Sequence, residues 1–253
     1  MIYVVLKIAF TWPIAHIVWS KPLSTPGSWI GKLLLFPSMV APHNLNLFCA
    51  GVIIVLLILL IIPVTYATSI FLFWITLNIY RMNFPVANGS DYMMLMSSVF
   101  TIFFPTKLLS KNENITVVQR FLHNLSMIFL QLQVVWIYLI SGWDKLFSEA
   151  WQSGSSLIYV AHIETMFRPS LVAVLSNPAI SFMLSWATIL FELAFVVLVW
   201  FRSTRLIILA IGVLFHLSIW VLVSLPDFAI MMIATYLVFL KDEDVERLRL
   251  KIR

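Results

Sequence analysis

Three ionisable residues, Lys145, Glu192 and His216, stand in or beside long apolar runs. An ionisable side chain placed in a membrane-length apolar run costs a few kcal/mol or more, so each is a candidate for chemistry with a partner to be found. Amine, carboxylate and imidazole are the groups that take up and release protons. Glu192 and His216 flank the turn Arg202-Ser203-Thr204-Arg205, and counting back from it at ~1.5 Å per residue puts both about 15–18 Å deep. Antiparallel neighbours at equal depth can meet, so the spacing predicts a Glu192–His216 hydrogen bond. That bond serves either proton handling or helix packing alone.

Lys145 closes the run Gln131-Leu-Gln-Val-Val-Trp-Ile-Tyr-Leu-Ile-Ser-Gly-Trp-Asp-Lys. On a continued helix Tyr138, Ser141 and Lys145 share one face. Two readings stand. The lysine snorkels to the headgroups or pairs with Asp144 or Glu149; or the bundle buries it, and desolvation makes a neutral amine available as a base. A third cluster is Asn83-Phe-Pro-Val-Ala-Asn-Gly-Ser-Asp91, a turn-rich loop feeding a helix. Helix capping by Ser90 or Asp91 accounts for it without chemistry. Lys7, His16 and Asp227 are lesser candidates, each near enough to a span end to be solvated. His16, His43, His123, His162 and His216 have no metal-ligand spacing, so no metal site is expected, although a bis-histidine haem across helices stays open. No G-x-x-x-x-G-K-[ST] or G-x-G-x-x-G occurs, which leaves nucleotide binding without support.

The elements that must hold these groups follow from composition. Of 253 residues, 62% are apolar and 11% charged, with a mean hydropathy of +1.00. A soluble domain carries nearer a quarter charged residues. The reading is an all-α, polytopic transmembrane helical bundle forming a single membrane domain over 1–253, with no soluble domain and a basic cytoplasmic tail, 241–253. The single cysteine, Cys49, leaves the redox compartment open. The net charge of +5 is dispersed over short loops and the tail, as in cytoplasmic loops of membrane proteins, and no nucleic-acid partner is expected.

Eight candidate spans, with six to eight as the range, fall at 2–19, 46–62, 64–80, 91–106, 120–141, 181–201, 205–224 and 227–240. Polar stretches separate them at 20–45, 81–90, 107–119 and 142–180, and from Lys241 onward. The first run has no basic segment before it and no A-x-A-like site near Ser20, so it is a retained helix and not a secretory signal. With eight spans, Lys107, Lys111, Arg120, Arg202, Arg205, Lys241, Arg247, Arg249, Lys251 and Arg253 share one side. Lys21, Lys32, Arg81, Lys145 and Arg168 share the other. This asymmetry predicts cytoplasmic termini in a cell-membrane protein, with the Lys145 side extracytoplasmic. The stretch from Trp151 to Phe167 is expected to lie along the outer interface.

The stretch Ile137–Tyr159 carries Tyr138-x-x-x-Gly142-x-x-Lys145-Leu146 and then Trp151-x-x-Gly154. This resembles the signature of the vitamin K-dependent gamma-glutamyl carboxylase superfamily, whose bacterial relatives are the HTTM (horizontally transferred transmembrane) domain proteins. Asn88-Gly-Ser-Asp91 resembles the polar loop opening a span in the same family. Phe191-Glu192 and His216 fall in the expected order, and the resemblance spans roughly 65–240. It implies that Lys145 is the amine base that deprotonates a hydroquinone, with the resulting strong base abstracting a proton from glutamate before carbon dioxide adds. It further implies that His216, Glu192, Asn88, Asp91, Tyr138 and Trp151 belong to the catalytic and quinone-binding set. The carboxylase carries a large lumenal substrate domain that does not fit in this chain. Among small relatives, the membrane protein of the bacterial sporulation-delaying toxin system is similar in size and make-up; it acts with a separate partner to mature a secreted peptide.

Three functions are therefore in contention. The first is a membrane enzyme or subunit that modifies or matures a secreted peptide, with a quinol as cofactor and a separate partner protein supplying the extracytoplasmic part. The second is a non-catalytic scaffold, immunity protein or peptide chaperone. The third is a small proton-coupled transporter using Glu192 and His216, for which broken helices in matching halves are expected; no repeat is visible.

Overall fold

The computed structural model describes residues 1–18, 44–61, 65–83, 86–104, 116–163, 169–244 and 246. Every regular element among them is helical. The chain divides into two compact units, Met1–Ile128 and Phe129–Arg253. The expected loops 20–45 and 107–119 lie largely outside the described residues, as do Glu164–Arg168 and the tail from Arg247.

In the first unit α1 (Ile2–Thr11) continues through a 3-10 turn, Trp12–Ile14, into α2 (Ala15–Val18). Pro13 sits at the start of that turn, where its missing N–H costs no bond. Three helices follow: α3 (Leu45–Ile61), α4 (Tyr66–Met82) and α5 (Gly89–Thr101). Thr65 opens α4 with a capping box. Its hydroxyl accepts from the Thr68 N–H at 3.2 Å and its own N–H donates to Thr68 Oγ1 at 2.7 Å. Helix α1 packs on α3 and α4, and α4 packs closely along α5.

Helix α6 (Val117–Leu146) supplies most of its length to the second unit. The short helices α7 (Glu149–Gln152), α8 (Ser155–Ala161) and α9 (Pro169–Leu175) lead to α10 (Pro178–Leu198), α11 (Arg205–Val223) and α12 (Pro226–Thr235). A 3-10 turn, Tyr236–Phe239, follows directly on α12. Asn177 caps α10, accepting from the N–H groups of Ala179 and Ile180, with Pro178 at the first helical position. The tight connection between α11 and α12 turns on Ser224 in the left-handed region, at φ 56°.

The burial pattern is inverted relative to a soluble bundle. On α11 Leu214 is 68% exposed, whereas His216 is 1% exposed and Arg205 is buried at the helix start. Large apolar side chains such as Leu190, Val197, Ile207 and Leu214 are exposed while Glu192, Arg205 and His216 are buried, a placement that suits lipid better than water. Helices α6, α10 and α11 are long and apolar enough to cross a membrane; Ile2–Val18, Leu45–Ile61 and Pro226–Phe239 are shorter apolar helices.

The expected spans at 64–80, 181–201 and 205–224 correspond to helices within a few residues. The run at 120–141 extends five residues further, so Lys145 lies on the helix and not beyond it. The polar stretch after it is largely short helix, and α8 occupies part of the segment expected along the interface. In the helical residues that follow Leu240, Asp244 is buried and takes Arg205 Nη1 at 2.8 Å and the Lys241 N–H at 3.1 Å. The chain just beyond Leu240 is thereby pinned to the α10–α11 turn.

Candidate functional site

Lys145 stands in the last turn of α6, where a cation complements the negative end of the helix dipole. Its Nζ donates to Glu192 Oε1 at 3.0 Å, to Glu192 Oε2 at 2.9 Å and to Ser141 Oγ. Ser141 Oγ in turn donates to Glu192 Oε1 at 3.2 Å. The lysine side chain is 17% exposed and the carboxylate 7%. Nζ also lies 5.1 Å from the centroid of the Trp151 ring, a cation–π contact.

The arrangement corrects the expected partners on both sides. Lys145 pairs with Glu192 from another helix, and not with Asp144 or Glu149 on its own segment. Glu192 gives its carboxylate to Lys145 and Ser141, and not to His216. Turn counting fixes depth along two helices but not the direction in which each side chain points, and here the two point to different neighbours.

The glycines flanking this centre make room for it. A Cβ on Gly142 would lie 3.1 Å from the Glu192 Cβ and 3.0 Å from Leu193 Cδ2, so the bare backbone lets α10 approach α6 beside the ion pair. Gly154 has φ +80°, and a Cβ there would meet the Phe182 backbone at 2.6 Å. Its carbonyl accepts from Ser181 Oγ, and Trp186 Nε1 donates to the Gln152 carbonyl at 3.1 Å. The α7–α8 corner is thereby docked on the start of α10, which sets Trp151 over Lys145.

A second polar centre lies on the same stripe of α6, at Tyr138. Its hydroxyl bonds to His216 Nε2 at 2.6 Å and to the Tyr236 hydroxyl. Phe191, Phe195 and Phe215 pack among these rings, and Phe228 stands edge-on to His216 at 5.6 Å. Gly212 accommodates the Tyr236 hydroxyl, which a Cβ would overlap at 2.4 Å.

Asn88 and Asp91 fall in the first unit. Asn88 Oδ1 accepts from the Ser90 N–H at 2.9 Å, and Asp91 Oδ2 accepts from the Asn88 N–H at 2.9 Å, a capping box opening α5. Lys7 Nζ lies 2.8 Å from Asp91 Oδ2, and the Tyr3 hydroxyl bonds to Ser90 Oγ at 2.5 Å. The expectation that Lys7 is solvated is corrected: its side chain is 4% exposed, because α1 buries it against α5. His16 is exposed and Asp227 half-buried.

The structure thus brings Lys145, Glu192 and Trp151 together, and Tyr138 with His216. It adds Tyr236, which sequence reasoning did not single out, and moves Lys7 from a solvated span end to a buried ion pair. Tyr236 lay within an expected span with nothing to mark it.

A family model described as HTTM domain matches residues 31–243. The matched region contains every residue of both centres on α6 and leaves Tyr3 and Lys7 outside it. No curated protein matches the chain, and no solved structure matches it.

Proposed function

The chain belongs to the HTTM domain family, and from that premise we propose that it is a membrane enzyme, or the membrane subunit of one, that modifies or matures a secreted peptide with Lys145 as its base. The single observation supporting this is the Lys145–Glu192–Ser141 centre: an amine on an apolar helix, held by a carboxylate, with part of its side chain still exposed, and faced by an indole. A lysine without such a partner in this setting would either snorkel away or stay uncharged. Glu192 keeps it in place and offers its proton a destination.

The donor set fits a hydroquinone, with an amine to take a hydroxyl hydrogen bond and Trp151 as a flat face beside it. Lys145 and Trp151 would hold the ring, and Glu192 and Ser141 would fix the amine. Such a group, when bound, supplies an acidic hydroxyl and an electron-rich ring. Lys145 accepts the hydroxyl proton at Nζ, Glu192 balances the resulting charge, and the apolar wall of α10 limits water. The part assigned to Asn88 and Asp91 rests on the resemblance alone.

In this proposal the protein sits in the cell membrane with six to eight spans. Both termini are cytoplasmic, the Lys145 end faces outward, and a separate partner protein presents the peptide.

The test is product formation in cells carrying the partner and peptide. Lys145→Ala should abolish mature product while the protein remains inserted and folded. Because Lys145→Ala strands a carboxylate, Lys145→Met/Glu192→Leu serves as a folded control that should also make none. Normal product from either variant would overturn the base assignment. The scaffold reading has one observation of its own: the ammonium already meets Glu192 Oε1, Glu192 Oε2, Ser141 Oγ and the Ser141 carbonyl, as a purely structural pair would also show.

A further inference from the structure

Ser141 and Lys145 stand four residues apart on one face of α6, and a long helical side chain leans back over the turn before it. The Lys145 amine therefore meets its own helix as well as α10. Nζ donates to Ser141 Oγ and to the Ser141 carbonyl at 3.4 Å, beside its bonds to Glu192 Oε1 at 3.0 Å and Oε2 at 2.9 Å. Ser141 Oγ spends its single hydrogen on Glu192 Oε1 at 3.2 Å. One hydroxyl thus accepts from the ammonium and donates to the carboxylate.

Both of its bonds favour the charged partners. An acceptor facing the amine and a donor facing the carboxylate each stabilise an ion, while burial works the other way, toward a neutral amine beside a carboxylic acid. The Trp151 ring, 5.1 Å from Nζ at its centroid, adds to the charged side, because an aromatic face attracts an ammonium and not a neutral amine. The remaining titratable groups nearby weigh less. Asp144 on α6, Glu149 on α7, and Tyr159 and His162 on α8 are exposed to solvent, and Tyr138 and His216 bond to each other.

We propose that Ser141 sets the proton balance of this pair and keeps Lys145 an ammonium at rest. The proposal rests on the reading of Lys145 as a base, and says when that base appears. The step is one proton transfer. An N–H bond at Nζ breaks and an O–H bond forms at Glu192 Oε2, the oxygen that takes Nζ but not Ser141. Ammonium and carboxylate become amine and carboxylic acid, with the net charge unchanged and nothing oxidised or reduced. A ligand seated between the amine and the indole removes the second support of the charged form, so the base is made where the ligand binds. Ser141 is a positioning residue, since it acts through Lys145.

The balance is read with cyanate, which carbamylates an amine only through a free lone pair, so the rate at Lys145 follows the fraction of neutral amine. The full chain in lipid nanodiscs is treated with cyanate, and mass spectrometry follows Lys145 against the exposed Lys241 as internal reference. Ser141→Thr and Ser141→Val have the same shape and differ in the hydroxyl. Ser141→Val should react about tenfold faster or more, the worth of a hydrogen bond to a charged group, and Ser141→Thr should keep the native rate. Equal rates in the two would mean that the serine only fills space, and would overturn the proposal. Slower reaction in Ser141→Val overturns it as well, as does a Lys145 that stays unmodified in every variant. If the β-branched variants do not insert, Ser141→Ala takes their place and should gain by a similar factor; a rate no higher than the native one overturns the proposal. A failed base assignment shows separately, as normal product from Lys145→Ala, so the two failures are told apart.

Discussion

Among the described residues two lysine–carboxylate pairs sit in apolar helices, one in each compact unit, and their ion-pair distances are nearly equal at 2.8 and 2.9 Å. Lys7–Asp91 is sealed, at 4% and 0% side-chain exposure, and its carboxylate also caps α5 through the Asn88 N–H. Lys145–Glu192 is partly open, at 17% and 7%, engages both carboxylate oxygens and lies under an indole. What separates the two is setting: one carboxylate is fully buried and also caps a helix, while the other, with its lysine, keeps part of its surface exposed.

The largest expected effect bears on that distinction. Lys7→Met leaves Asp91 charged and buried, which should cost ~3–5 kcal/mol, and Lys7→Met/Asp91→Leu should recover most of it. Lys145→Met should cost less, because its pair retains some solvent. Thermal unfolding in one detergent compares the three variants, and equal losses for the two single lysine changes would erase the contrast. Next in size is Gly154→Ala, which forces a side chain into the left-handed region at roughly 1–2 kcal/mol, in addition to its clash with the Phe182 backbone. Gly51→Ala, with open space around it, is the matched control and should be neutral or stabilising by about 0.5–1 kcal/mol. The smallest effect is Trp151→Leu, about 0.5–2 kcal/mol for a lost cation–π contact. That loss should vanish in the Lys145→Met background, which a double-mutant cycle on unfolding midpoints would measure.

Helices α4, α10 and α11 were legible because apolar runs bounded by Pro63, Pro178 and the Arg202–Arg205 turn leave few alternatives. The end of α6 was not. Ser141-Gly142-Trp143-Asp144-Lys145 has the composition of a terminus, and the partner that Lys145 meets there, Glu192, is forty-seven residues away in the chain. Glu192 and His216 were recognisable as costly residues, yet their partners depend on helix rotation, which local periodicity leaves undetermined when the apolar residues run all round. Lys7 was misplaced for a related reason. Its partner Asp91 had a sufficient local role as a cap, and nothing in the chain between them signals that α1 would lie against α5.

The length of α6 has a consequence for the bilayer. Thirty residues make about 45 Å of helix, against a hydrocarbon core of ~30 Å. Inclined by ~40°, the steep end of what such helices adopt, α6 would still reach about 34 Å along the membrane normal. It overhangs the hydrocarbon, and Lys145 rides near one tip. Lipid chain length then acts on this amine as solvent composition acts on a soluble one. Long acyl chains immerse the tip and dry the ion pair, whereas short chains strand it among headgroups and water.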